Sequence, residues 1–194
     1  KKKIGISLRI VDAQNYVEKR DALSHDWPKF FEKLDLIPIF IPNTLESPKN
    51  FLDELSLDGI VLSGGDNIGD NIDRDKTENF LLNHVIEKNI PTIGICRGMQ
   101  LINIYFRGKL NKIEGHVAKK NNIIDYKSKK YRKITCYHGN GIKKIGNGLY
   151  FLHKSSDNEI ESIKHRSKKL FGIMWHPERF KFFQNKDIEL IRNF

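Results

Sequence analysis

The stretch Ile93-Gly94-Ile95-Cys96-Arg97-Gly98-Met99-Gln100-Leu101-Ile102 decides the fold. An apolar run from Ile90 to Ile95, with Pro91 at its start, reads as a buried strand. Cys96 follows at once, and Met99, Leu101, Ile102, Ile104 and Tyr105 then recur at helical spacing. A residue at a tight strand-to-helix turn is pushed out of the sheet with its side chain exposed at the top. The backbone N–H groups of the new helix point at it, and their partial positive charge favours a thiolate over a thiol. Gly94 and Gly98 flank the cysteine at i−2 and i+2, where small residues permit the turn and a close approach of helix to strand. Gly-x-Cys-x-Gly is the cysteine form of a nucleophile elbow. The competing reading of the same residue is a buried structural cysteine.

Outward from the elbow, the chain alternates strands and helices. Lys3 to Ile10 reads as a first strand, and Arg20-Asp21-Ala22-Leu23-Ser24 leads into a helix carrying Trp27, Phe30, Phe31 and Leu34. Ile37 to Ile41 reads as a strand, and Ser47 as the cap of a helix with Pro48 at its first position. Asp58 to Leu62 is a β-branched strand ending in Ser63-Gly64-Gly65-Asp66, a turn that exposes backbone N–H groups to an anion. Arg74 to Lys88 reads as an amphipathic helix. Short apolar strands separated by helices imply a mostly parallel central sheet sandwiched by helices in an α/β fold, with active sites at the strands' carboxyl ends. Gly64-Gly65 and Cys96 both fall at such ends. Beyond Phe106 the pattern changes. Residues 110–133 read as short antiparallel strands and an exposed loop, followed by strands at 131–138, 149–153, 160–164 and 170–175 and a last helix at 186–194.

A cysteine nucleophile needs a base and a group that orients the base. Trp175-His176-Pro177-Glu178 offers both at a strand end. The imidazole can take the thiol proton, and a carboxylate two residues on can hold the other ring nitrogen. Pro177 bars a regular strand ladder, so the two side chains are not forced to opposite faces. The bland reading is a simple turn. The other histidines, His25, His84, His116, His138, His153 and His165, show no carboxylate so placed in sequence, although His138 is a candidate site residue.

Length and composition narrow the classes. The 194 residues, 39% hydrophobic, suit one domain spanning 1–194 with a sizeable core. No apolar run approaches the ~18 residues of a membrane span, and the start is not a signal peptide. Two cysteines make no disulfide framework and point to a reducing cytoplasm, and no Cys/His spacing of a metal site is evident. The net charge is +10, with Lys119, Lys120, Lys127, Lys129, Lys130, Arg132 and Lys133 facing one acid, Asp125, in a single segment. Such a block means nucleic acid, an anionic ligand or a solvated face.

Gly94 to Gln100 is similar to the nucleophile motif of class I glutamine amidotransferases, and its arginine and methionine make it more similar to their γ-glutamyl hydrolase branch. Met174 to Arg179 resembles the family's second catalytic motif and Leu62 to Asp66 its oxyanion-hole strand end, while Arg20–Leu23, Gly115–Val117 and Tyr137–Gly139 also match. The resemblance implies that family's flavodoxin-like fold with a small antiparallel β addition. It implies a Cys96–His176–Glu178 triad, an oxyanion hole from the backbone N–H groups of Gly65 and Arg97, and substrate contacts from Gly64, Gln100, Cys136, Tyr137 and His138. The activity implied is hydrolysis of a γ-glutamyl amide through a glutamyl thioester, with no metal or cofactor. This chain departs from the family pattern at Thr135-Cys136, where Asn-Ser is usual, and at Asn140, where Gln is common.

The resemblance leaves the leaving group open. One branch acts in capsule phosphoramidate synthesis, releasing a nucleotide phosphoramidate from a γ-glutamyl nucleoside diphosphate. The basic segment points that way rather than to a polyamine or aminobutyrate. If its loop folds over the strand ends, Lys129, Lys130 and Arg132 would meet an anionic leaving group. Two further classes compete: a glutaminase subunit feeding ammonia to a synthase partner, and a nucleic-acid-binding module on an inert hydrolase fold. The triad motifs, and a basic block without aromatic interleaving, argue against nucleic acid.

Overall fold

A computed structural model describes residues 1–193. In chain order the elements are β1 (Lys3–Ser7), β2 (Arg9–Asp12), β3 (Lys19–Ala22), α1 (Asp26–Leu34), β4 (Ile37–Ile41), α2 (Pro48–Leu55), β5 (Gly59–Leu62), α3 (Ile72–Lys88), β6 (Thr92–Ile95) and α4 (Arg97–Tyr105). There follow β7 (Lys109–Lys112), β8 (Val117–Asp125), β9 (Tyr131–Tyr137), β10 (Asn140–Lys144), β11 (Leu149–Ser155), β12 (Ile160–His165), β13 (Leu170–Ile173) and α5 (Asn185–Arg192). Nine strands form one sheet in the order β4-β1-β5-β6-β13-β12-β11-β8-β9. The first five of these run parallel, and the other four extend the sheet antiparallel. The antiparallel portion is therefore nearly half of the sheet.

The parallel strands read as apolar runs because both of their faces are covered. β5, β6 and β13 are buried at every position. α1 packs Trp27, Phe30, Phe31 and Leu34 into the core, α3 packs Leu81, Leu82 and Val85, and α4 packs Met99, Leu101 and Ile102. α4 lies unusually close to the sheet. A Cβ on Gly94 would stand 2.4 Å from the backbone carbon of Gly98, and one on Gly98 would stand 2.2 Å from the Leu62 carbonyl oxygen. Either side chain would lift the helix off the strands.

The differences from the sequence reading are local. The first strand stops at Ser7, and Ile10 belongs to a separate two-stranded ribbon in which Arg9–Asp12 pairs with Lys19–Ala22. Arg20-Asp21-Ala22 is thus a strand rather than a helix lead-in. Ser47 precedes Pro48 as expected but makes no side-chain capping bond. The last helix ends at Arg192, and Phe194 lies outside the described residues.

The basic segment is a hairpin, not a loop over the strand ends. Ile173, at the carboxyl end of β13, faces Ser162, Ser162 faces His153, and His153 faces Asp125. From that level β8 and β9 rise beyond the strand ends to the Val117–Tyr137 pair. The turn at 126–130 points the other way, with the Tyr126 N–H donating to the Leu152 carbonyl in mid-sheet. Lys129 and Lys130 therefore face away from the site. Arg132 is a structural cation: it donates to the buried Asp187 at 2.5 Å and stacks 4.9 Å over Trp175.

Candidate active site

Four strand ends converge. Cys96 sits between β6 and α4 with φ 52° and ψ −103°, a conformation costly for a residue with a Cβ and held here by the packing on both sides. Its own N–H donates to the Ile173 carbonyl at 2.7 Å, tying the elbow to β13. From β13 the chain runs through buried Met174 and Trp175 to His176 and a short 3-10 turn, Pro177–Arg179. The turn brings Glu178 Oε1 to 2.6 Å from His176 Nδ1, so the nitrogen facing the carboxylate carries the proton and the other faces the thiol. Burial opposes the imidazolium, but hydrogen bonds to Cys96 and Glu178, and their charges, prevail and hold His176 up to about 9. Gly64 leaves the room this needs: a Cβ there would lie 2.6 Å from His176 Cε1.

The turn after β5 is held by a group the sequence reading missed. Arg74, on the first turns of α3 and fully buried, donates to the carbonyls of Ser63 at 2.9 Å, Gly64 at 3.0 Å and Gly65 at 2.9 Å. In a trans peptide the N–H points opposite to the C=O. With the Gly64 carbonyl aimed at Arg74, the Gly65 N–H is turned the other way, to the cavity side. Glu78 anchors the cluster, receiving Arg74 at 3.1 Å, the Ser7 hydroxyl at 2.7 Å and the Arg97 guanidinium in a very short contact. Burial and then the neighbouring Arg74 pull Arg97 down to about 10, so it stays charged at neutral pH. Its side chain thus anchors α4 while its backbone N–H opens that helix beside Cys96. No spacing rule distinguishes Arg74 from the other charges on α3.

These groups surround a cavity of about 220 Å³ lined by Gly65, Asp66, Asn67, Cys96, Arg97, Gln100, Tyr137, His138, Gly139, Asn140, His176 and Arg179. The structure thus assembles the expected Cys96, His176, Glu178, Gly65 and Arg97, with Gln100, Tyr137 and His138 on the walls. Tyr137 stands edge-on to the His176 ring at 5.6 Å, and Arg179 lies 4.5 Å over Tyr137. Gln100 Nε2 donates to the Asn140 carbonyl at 3.1 Å, fixing the far wall. A larger, mostly apolar cavity, about 520 Å³, opens beneath α1 at the other end of the strands, and its lining among the described residues has no cysteine, serine, threonine or histidine.

Two expectations change. Cys136 does not line the cavity; it is fully buried, and burial, then Glu161 and Asp157, push its thiol up to about 12. His176 is also not alone in having a carboxylate partner. His116 Nε2 lies 2.6 Å from Asp157 and His153 Nε2 3.4 Å from Asp125, pairings made across the sheet and invisible in sequence spacing.

The class I glutamine amidotransferase family profile matches residues 20–194, and the chain belongs to that family. Its activity is cysteine-dependent amide hydrolysis. Among its relatives, γ-glutamyl-CDP-amidate hydrolase of Campylobacter jejuni is 35% identical over 95% of this chain and 94% of its own length. One glutamine-hydrolyzing GMP synthase subunit, from Thermococcus kodakarensis, is 32% identical over 71% of this chain and 74% of its own. A glutamine amidotransferase structure from Thermotoga maritima shares the fold, with a TM-score of 0.70 at 15% identity, covering 98% of this chain and 82% of that one. Among the described residues no helix is long and apolar enough to cross a membrane.

Proposed function

We propose that the chain hydrolyses the amide between a γ-glutamyl group and the nitrogen of a nucleotide phosphoramidate, with Cys96, His176 and Glu178 as its triad. The observation that carries the triad is the buried His176–Glu178 pair, 2.6 Å apart, beside a cysteine on a strained elbow. The Cys96 sulfur attacks the δ-carbonyl, and its proton resides on His176. The carbonyl oxygen becomes an oxyanion, received by the N–H groups of Gly65 and Arg97, each donor worth roughly 3–4 kcal/mol. As the C–N bond breaks, His176 gives its proton to the departing nitrogen. Water then loses a proton to His176 and attacks the thioester carbonyl, the C–S bond breaks, and glutamate leaves.

The likeness to the C. jejuni enzyme supports the phosphoramidate, and the charges at the rim agree with it. Arg179 lines the cavity, and Arg9 packs against Gly65, where a Cβ would lie 3.3 Å from its guanidinium carbon. Both side chains are partly exposed, at 34% and 43%, and both can meet a phosphate leaving the glutamyl group. Arg9 is itself paired with Asp66 at 2.6 Å, so the rim disfavours a polyamine chiefly through Arg179. Two unpaired cysteines suit a reducing, cytoplasmic setting.

The second reading, a glutaminase subunit serving a synthase, draws on the GMP synthase relatives, which match a shorter part of the chain. The test compares kcat/KM for γ-glutamyl-CDP-amidate, glutamine and a γ-glutamyl polyamine, read as free glutamate, in wild type and in Arg9→Gln/Arg179→Gln. Preference for the nucleotide substrate, lost selectively in the variant and weakened by salt, is expected. Preference for glutamine or the polyamine would overturn the reading.

A further inference from the structure

Behind the catalytic cavity lies a second cluster. His116 precedes β8, Cys136 is near the end of β9, His138 follows it, and Glu161 stands on β12. One donor atom from each lies within 4.8 Å of the other three, and all four side chains are buried. We propose that this cluster is a structural zinc site, with His116 Nδ1, Cys136 Sγ, His138 Nε2 and a Glu161 oxygen as its ligands.

The outer contacts of the two histidines carry the argument. His116 Nε2 lies 2.6 Å from the Asp157 carboxylate, and His138 Nδ1 lies 3.2 Å from the Asn140 carbonyl. Both partners only accept, so these outer nitrogens carry the ring protons. A neutral imidazole then has a bare lone pair on its inner nitrogen. The two inner nitrogens face each other at 3.3 Å. Glu161 Oε1 stands 3.3 Å from one and 3.6 Å from the other. The Glu161 side chain is 0% exposed, and neither of its oxygens finds a hydrogen-bond donor among the described residues. Lone pairs and a carboxylate converging in a buried space repel one another unless a cation, or an added proton, lies between them.

Distance and chemistry select the cation. Tetrahedral zinc with bonds of about 2.0–2.1 Å to nitrogen and oxygen sets its ligands on edges of about 3.3 Å. The three His and Glu separations, 3.3, 3.3 and 3.6 Å, lie on or near that edge. A mixed sulfur, nitrogen and oxygen set suits zinc rather than calcium or magnesium, which take oxygen ligands. A histidine that gives its other N–H to a carboxylate or a carbonyl is the arrangement that orients zinc ligands. Four protein ligands leave no position for water, so the ion would be structural and not the seat of a reaction. Its consequence for the active site is positional. The ion would clamp the end of β9 to β12, and that end presents Tyr137, His138, Gly139 and Asn140 to the catalytic cavity.

The test uses the full chain, stripped with a chelator and titrated with Zn²⁺ alone, with bound metal measured by atomic emission. One equivalent per chain is expected. Asp157→Asn removes only the outer partner of His116, from a side chain 52% exposed, and should keep the fold while weakening zinc about 10- to 100-fold. Cys136→Ser should weaken it further. In Co²⁺-loaded protein the thiolate-to-cobalt absorption should be present in wild type and Asp157→Asn and absent in Cys136→Ser. No stoichiometric zinc in the folded wild type would overturn the proposal, leaving a protonated hydrogen-bond network. Zinc held equally by wild type and both variants would also overturn it, by putting the metal elsewhere. Both readouts are independent of hydrolysis and stand or fall apart from the reaction proposed above.

Discussion

The two cysteines of this chain occupy opposite kinds of place. Cys96 stands outside regular structure, at φ 52° between a strand and a helix, in a cavity wall that it shares with a histidine held up to about 9. Cys136 lies within an antiparallel strand, wholly buried, with a thiol pushed up to about 12. One residue type lines the cavity in the first setting, as the proposed nucleophile, and is a buried thiol, the proposed metal ligand, in the second. What differs is the backbone around it and the charge that faces it, which is why a cysteine's chemistry belongs to its place in the fold.

The sharpest way to break this contrast is to exchange the two. Cys96→Ala should lower kcat on a γ-glutamyl substrate by on the order of 10⁴-fold or more, as loss of a nucleophile does. Cys136→Ser should keep stoichiometric labelling of Cys96 by a glutamine-like electrophile. Labelling that vanishes in Cys136→Ser but persists in Cys96→Ala would reverse the assignment.

Next in size is the histidine's orienter. Glu178→Gln should lower kcat on the order of 10²- to 10⁴-fold with little change in KM. It should also move the alkaline limb of kcat/KM. Cys96 and then Glu178 hold His176 above its ordinary value of 6.5, so activity that needs the imidazolium should persist up to about pH 9 in wild type and fall away at lower pH once the Glu178 charge is gone. The linked stability has the same sign: full below 6.5, lost as pH rises through about 9. A limb that stays in place would make the carboxylate merely structural.

Arg74 sharpens the contrast from the other side, because it holds three backbone carbonyls of the turn after β5, along with the carboxylate of Asp66 at 3.1 Å. Arg74→Ala frees the Ser63, Gly64 and Gly65 carbonyls and leaves Glu78 without one of its partners. A fall in kcat of about 10²- to 10³-fold is expected, comparable to losing one oxyanion donor. A loss of roughly 3–5 kcal/mol of stability, as for a broken buried ion pair, should accompany it in a denaturant titration. The smallest effect belongs to the hairpin turn: Lys129→Gln/Lys130→Gln should leave kcat/KM for every substrate within about twofold. A selective loss on the nucleotide substrate would bring that turn back to the site.

How far the chain could be read follows the same divide. The parallel half was legible because its signals are local. Gly94-x-Cys96-x-Gly98 prescribes its own turn, and His176-Pro177-Glu178 carries the proposed base and its orienter within three residues. The expected family and α/β fold were borne out, as was hydrolysis of an amide. The antiparallel half resisted because its signals are made by pairing. His116, Cys136, His138 and Glu161 come together only when β8, β9 and β12 join one sheet, and sequence distances of 2 to 45 residues do not foretell it. The basic segment misled for a related reason: charge density along a chain does not say which way a hairpin points. Arg74 was hidden among the charges of a helix whose apolar face drew the reading.

The most direct test of the central claim is the mass of the protein quenched with acid during turnover of γ-glutamyl-CDP-amidate. A single glutamyl adduct is predicted, mapped by peptide digestion to Cys96, removed by hydroxylamine as a thioester, and missing in Cys96→Ala. An adduct on Cys136, or undiminished turnover in Cys96→Ala with no adduct at all, would contradict it.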